Sequence, residues 1–150
     1  MERERKLNTL LAQAGVKTDT TTGALTTPLH FSTTYQHPEF GQSTGYDYTR
    51  TKNPTRASLE EILAAIESAD YGLATSSGMS AIVLAFSAFP VGSKVLAVRD
   101  LYGGSFRWFA QVEAEGRFSF TYANTEEELL NNLTEDIDIV YIETPTNPLM

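Results

Sequence analysis

The sequence predicts an α/β fold: a mostly parallel sheet with helices on both faces, preceded by an extended N-terminal arm. Three observations point there. From residue 56 onward, short apolar runs suited to buried strands alternate with stretches that carry an apolar face at helical spacing. Such alternation indicates βα units, whose parallel strands are joined by right-handed crossovers. Ahead of them, residues 16–45 hold no sustained period and are dense in Thr and Ser. Between two apolar runs stands Thr75-Ser76-Ser77-Gly78-Met79-Ser80, a turn made of small residues.

Composition narrows the class of protein. The 150 residues are 41 % hydrophobic, enough to bury a core. The net charge is −8 and Arg3, Arg5 and Lys6 form the one basic cluster, so neither nucleic acid nor an anionic membrane is an expected partner. With no cysteine there is no disulfide, thiolate metal site or cysteine nucleophile. His30 and His37 lie in unpatterned chain with no ligand partner close in sequence, so no metal site is expected. No signal peptide or membrane span is visible: the longest apolar run, residues 81–90, is too short to span and is broken by Ser87. The expectation is a soluble cytoplasmic protein.

Taken in order, the chain opens with Leu7, Leu10, Leu11 and Ala14 on one face of a short helix, which Gly15 is placed to end. About thirty irregular residues follow, punctuated by Pro28 and Pro38. Their Leu25, Leu29, Phe31, Tyr35 and Phe40 are too apolar for a free linker, so an arm lying on another surface, such as a partner subunit, is expected. Tyr48 and Arg50, two residues apart, point the same way if the chain is extended, and together can hold an anion. Asn53-Pro54-Thr55 reads as a turn into a helix, while Ser58 and Glu61 fit a capping box that would start it later. That helix carries Leu59, Ile62, Leu63 and Ile66 inward and Glu60, Glu61 and Glu67 outward.

Residues 71–74 (Tyr-Gly-Leu-Ala) are apolar enough for a buried strand, and residues 81–86 for the first turns of a buried helix. A strand feeding a helix through Ser-Ser-Gly leaves unpaired N–H groups aimed at one spot, a ready site for phosphate as well as an ordinary turn. Gly78 lets the backbone approach such a ligand closely. Beyond it, residues 94–98 read as a strand, 105–115 as a helix with Phe106, Phe109 and Val112 on one face and Trp108 flanking, and 118–122 as a strand. Thr125 caps a helix whose Glu126, Glu127 and Glu128 make a solvated first turn, and residues 138–142 form a last buried strand. Three loops follow strands: 75–80, 100–104 and 143–147. In open α/β sheets ligands bind outside the carboxyl ends of the strands, so these loops are expected to converge. A phosphate cradle, an exposed Tyr102 and Asn147 held between prolines suit a flat, phosphorylated ligand. Neither dinucleotide nor P-loop glycine motifs are present.

Four motifs now carry a resemblance: Tyr48-x-Arg50-x-x-Asn53-Pro54-Thr55, Ser76-Ser77-Gly78-Met79, Asp100-x-Tyr102-Gly103-Gly104 and Glu143-Thr144-Pro145-x-Asn147-Pro148. In order and spacing they resemble the Cys/Met-metabolism (trans-sulfuration) family of pyridoxal 5'-phosphate (PLP) enzymes, over nearly the whole chain. The resemblance implies a fold-type-I PLP-dependent transferase. It implies that Ser77, Gly78 and Met79 bind the cofactor phosphate, that Tyr102 stacks on the pyridine ring and that Asn147 bonds the ring hydroxyl. Tyr48 and Arg50 would reach the phosphate of a neighbouring subunit's cofactor, in a homotetramer built as a dimer of dimers. Residues 1–55 would be the helix and intersubunit arm, and 56–150 the first part of the large cofactor domain. Glu143 belongs to the motif without an assigned contact.

The same family attaches PLP to a downstream lysine as a Schiff base and uses a downstream aspartate at the ring nitrogen. Lys6, Lys17, Lys52 and Lys94 do not match that position, so no catalytic residue is expected within these residues and an inactive amino-terminal fragment is expected. Among family members, Tyr-Thr-Arg-Thr-Lys-Asn-Pro looks most like the cystathionine γ-synthases, which catalyse γ-replacement on an activated homoserine. Gly104 stands where methionine γ-lyases carry a cysteine. β-Elimination of cystathionine is the alternative, and a catalytically dead chain acting only in assembly is a reading of another class.

Overall fold

The structure, a computed structural model, describes residues 7–16 and 19–146. The chain divides into two compact units, one ending at Ala74 and the other beginning at Thr75. The basic residues Arg3, Arg5, Lys6 and Lys17 lie outside the described residues, as do Asn147 and Pro148.

In the first unit, helix α1 spans Leu7–Ala12 and the chain turns away at Gly15, whose φ of 75° lies in the left-handed region that glycine tolerates. Among the described residues the stretch up to Lys52 is irregular, as the lack of period over 16–45 predicted for most of it, and holds the isolated antiparallel bridges Val16 with Thr26 and Thr34 with Tyr48. Helix α2 spans Pro54–Ile66. Its start is settled by Asn53, whose side chain accepts from the N–H groups of Thr55 and Arg56, with Pro54 at the first helical position. Ser58 is therefore no cap; its hydroxyl lies 3.2 Å from that of Thr27.

Three expectations about this unit are corrected. Residues 71–74 are not a buried strand: Tyr71 is 89 % and Leu73 73 % exposed. A strand needs a neighbouring ladder, and among the described residues this stretch has none. It lies instead against α2, so closely that a Cβ on Gly72 would stand 2.5 Å from the Glu60 carbonyl oxygen. That approach explains the second correction. Glu60 does not face out but accepts a 3.0 Å bond from the Ala74 N–H and pairs with Arg56 at 3.5 Å. On the apolar side Ala64 is buried and Ile62 and Ile66 are half-buried, whereas Leu59 and Leu63 are exposed.

The second unit contains α3 (Gly78–Phe86), β1 (Ser93–Val98), α4 (Gly103–Ala114), β2 (Phe118–Ala123), α5 (Glu126–Asn132) and β3 (Ile139–Tyr141). The strands form a parallel sheet in the order β2-β1-β3, with Val95 opposite Phe120 on one side and Ile139 on the other. Flanked by strands on both sides, β1 buries Val95, Leu96 and Ala97 completely, which is why it reads as a continuous apolar run. Asp138 pins the amino ends of β1 and β3, exchanging bonds of 2.8 and 3.0 Å with the Lys94 backbone.

Aromatic rings fill the core. Phe109 stacks on Phe120 with centroids 4.6 Å apart and meets Tyr141 edge-on at 5.0 Å, and Phe86 lies edge-on to Trp108 at 5.2 Å. The buried stripe of α4 runs through Ser105, Phe109 and Val112, spaced i, i+4, i+7. Phe106 sits off that stripe. Expected on the core face, it is exposed and packs beside Tyr122 and the Arg99 guanidinium instead. Helix α5 begins as predicted: Thr125 accepts from the Glu128 N–H, and Glu128 reaches back to the N–H and amide of Asn124.

Candidate functional site at the carboxyl ends of the strands

The chain leaves β1 through Arg99, Asp100 and Leu101 to Tyr102, the residue just before α4, and leaves β3 through Ile142 to Thr146. Two bonds tie these loops together. The Tyr102 N–H donates to Glu143 Oε1 at 3.0 Å, and Thr146 Oγ1 donates to Asp100 Oδ2 at 3.1 Å. A third link joins the α3 turn, because the buried Ser105 hydroxyl donates to Met79 Sδ at 4.0 Å. The loops after β1 and β3 thus meet within the second unit, as their positions after strands implied; the 75–80 turn follows no strand, and it is linked to them through the start of α3, where Met79 lies against Ser105 of α4. Beside them a cavity of about 290 Å³ opens over the strand ends, bordered by Arg99, Asp100, Asn124, Glu143 and Thr146.

At the start of α3, Ser77 is the cap: its side chain accepts from the Ser80 N–H at 3.1 Å and lies 2.9 Å from the Ser80 hydroxyl. The N–H groups of Gly78 and Met79 fall in the first turn, where no helical carbonyl precedes them. A Cβ built on Gly78 would meet no atom within 4 Å, so the approach to these amides is open. Open first-turn donors at the positive end of a helix fit a phosphate. The Ser77 hydroxyl, expected to help bind it, is engaged in capping.

Tyr102 is 41 % exposed, and its ring lies against the Gly104 backbone: a Cβ there would stand 2.3 Å from Cε1. Tyr141 gives its hydroxyl to Glu143 Oε2 at 3.3 Å. Burial raises the Tyr141 pKa; the Ser105 hydroxyl offsets this and the Glu143 charge adds to it.

Tyr48 and Arg50 belong to the first unit, and they meet each other. An Arg50 terminal nitrogen donates to the Tyr48 hydroxyl at 3.1 Å, with the guanidinium 4.9 Å from the ring centroid. The pairing does not come from extended chain, as the two-residue spacing suggested. The N–H groups of Thr51 and Lys52 both bond the Tyr48 carbonyl, so a turn brings the side chains together. Asn147 lies outside the described residues.

Ser105, Thr146 and the contacts of Glu143 were not foreseen. Ser105 could have been found four residues before Phe109 on the α4 stripe. Glu143 bonds a residue 41 positions away, which no local pattern signals. No helix among the described residues is long and apolar enough to cross a membrane.

A parallel sheet of three strands with helices between them, its strand-end loops tied together beside the open first turn of α3, defines an α/β domain. More particularly, the chain belongs to the Cys/Met metabolism PLP-dependent enzyme family, which matches residues 8–150. It is 42 % identical to the cystathionine gamma-synthase/O-acetylhomoserine (thiol)-lyase of Bacillus subtilis, covering 96 % of this chain and 39 % of that protein. It is also 42 % identical to the cystathionine gamma-synthase of Haemophilus influenzae (100 % and 42 %), and 36 % to cystathionine beta-lyase MetC of Bacillus subtilis (96 % and 38 %). The crystal structure of cystathionine gamma synthase from Xanthomonas oryzae in complex with cystathionine superimposes with a TM-score of 0.88 at 37 % identity, covering 96 % of this chain and 38 % of that one. The chain therefore spans about two fifths of the length of the relatives it matches. Pyridoxal phosphate is the cofactor of the family, as the four motifs implied.

Proposed function

We propose that these residues form the cofactor-cradling part of a cytoplasmic trans-sulfuration enzyme that performs γ-replacement on an activated homoserine, giving cystathionine or homocysteine. The observation that carries this reading is the joining of the loops after β1 and β3, through Tyr102 with Glu143 and Asp100 with Thr146, beside the start of α3, whose Met79 lies against Ser105. Bound pyridoxal phosphate supplies the electron sink for proton loss at Cα and for departure of a group at Cγ. The Gly78 and Met79 amides hold its phosphate at the positive end of α3, and Ser77, whose oxygen accepts the capping bond, has its hydroxyl proton to donate to the same group. Tyr102 covers one ring face and excludes water from it, and Asn147 bonds the ring hydroxyl. Tyr48 and Arg50 act as one donor group on the phosphate in a neighbouring subunit of a homotetramer; the bond between them supports their acting together.

The two γ-synthase relatives at 42 % identity favour γ-replacement, and the β-lyase relative at 36 % keeps β-elimination of cystathionine as the second reading. The experiment supplies an enzyme containing this chain with an activated homoserine ester and cysteine. Cystathionine as product supports the proposal. Homocysteine and pyruvate from cystathionine, with no reaction of the ester, would replace it by the second reading. Failure to retain the cofactor would overturn both.

A further inference from the structure

Helix α4 starts without the usual aids. Its capping residue is Tyr102, which makes no side-chain cap bond, and its first turn holds no acidic residue. Among the described residues, the carboxylate bonded to the backbone at this end is that of Glu143, delivered from the loop after β3. One oxygen takes the Tyr102 N–H at 3.0 Å and the other takes the Tyr141 hydroxyl at 3.3 Å. Tyr141 is half-buried, its ring edge-on to the fully buried Phe109, so the second oxygen is anchored to the core. A negative charge at a helix N-terminus is also favourable in itself. The Thr146–Asp100 bond ties the same two loops at a separate point.

We propose that Glu143 is a positioning residue: it clamps the Tyr102 backbone to the core through Tyr141, and so fixes where the Tyr102 ring stands at the mouth of the site. The proposal rests on the reading of Tyr102 as the ring that covers the cofactor. It assigns Glu143 no contact with cofactor or substrate. The ring itself is 41 % exposed and lies against Gly104, so its orientation depends on the backbone that carries it.

The test has two arms. In the first, amide hydrogen exchange at Tyr102 is measured in this chain, with Glu143→Ala and Glu143→Gln. A bond to a charged acceptor predicts exchange about tenfold faster or more in the alanine variant. Glutamine retains a carbonyl acceptor and should restore most of the protection. Unchanged exchange in Glu143→Ala would overturn the clamp; if that variant does not fold, Tyr141→Phe, which removes only the hydroxyl that anchors the second oxygen, should speed the exchange, and unchanged exchange there would overturn it equally.

The second arm uses an enzyme containing this chain, and reads pyridoxal-phosphate affinity and the visible circular dichroism of the bound cofactor. Expected are about tenfold weaker binding and a reduced signal in Glu143→Ala, with recovery in Glu143→Gln. If Tyr102→Ala changes affinity and dichroism but Glu143→Ala changes neither, the positioning role is refuted and the reading of Tyr102 stands. If Tyr102→Ala changes neither, the reading of Tyr102 fails and takes the positioning role with it, while the first arm still reports on the clamp.

Discussion

Replacing Asn53 by alanine tests how the first unit is held. Asn53 is 8 % exposed and uses both ends of its amide. Its oxygen accepts from the N–H groups of Thr55 at 2.8 Å and Arg56 at 3.3 Å, and its nitrogen donates to the His30 carbonyl and the Thr49 hydroxyl, each at 3.1 Å. Removing the cap costs about 1 kcal/mol. Leaving the His30 and Thr49 oxygens without their donor in a part-buried setting adds about 1 kcal/mol each. The expected loss is therefore about 2–4 kcal/mol. Asn53→Asp separates the two contributions. It keeps the acceptor and adds a favourable charge at the start of α2, but it loses the donor and turns a carboxylate toward the His30 carbonyl, so only the cap part should return. Native-state hydrogen exchange is the assay, followed at the α2 amides and at Thr49, whose N–H bonds the Thr33 carbonyl at 2.9 Å. Arg56 donates to the Thr49 and Thr51 carbonyls, so lost protection should spread into the turn that carries Tyr48 and Arg50. An alanine variant within about 0.5 kcal/mol of the parent, or an aspartate variant equal to it, would refute the reasoning.

Three further outcomes are expected. Phe109→Ala empties a fully buried site touching Phe120, Tyr141 and Phe86, and should cost about 3–5 kcal/mol in urea denaturation followed by far-UV circular dichroism; a cost under about 1 kcal/mol would contradict the core described. Gly104→Ala should leave stability equal or raise it by up to about 1 kcal/mol through helix propensity, while driving the Tyr102 ring off its seat; unchanged ring resonances in NMR spectra would contradict the 2.3 Å approach. Hydrogen bonds from Lys94 and Thr134 lower the Asp136 pKa from 3.8 to about 2. Because the folded-state value is the lower one, this stabilisation is present above about pH 4 and is lost as pH falls through about 2. Asp136→Asn should therefore flatten the acid side of the stability profile, the two proteins converging near pH 2, and parallel profiles would exclude the pairing.

Much of this protein was legible in the sequence because it is decided locally. The Thr125 cap and the apolar run of β1 each place an element with only a few neighbouring residues, and Asn53 followed by Pro54 was one of the two starts the sequence allowed for α2. The strand-then-loop order also foretold that the loops after β1 and β3 lie together, since loops at the carboxyl ends of neighbouring parallel strands share one edge of the sheet. Tertiary structure decided the rest. Residues 71–74 have strand composition but leave Tyr71 and Leu73 exposed and form no strand, because a strand exists only through a partner ladder. Phe106 was assigned to the core by hydrophobicity, yet the α4 stripe passes through Ser105, a polar residue that earns burial by position. Tyr48 and Arg50 meet through a turn that their spacing did not reveal. Glu143 finds Tyr102 across 41 positions because parallel strands β1 and β3 lie side by side, and a bond of that range is set by the sheet and by no pattern in the chain around either residue.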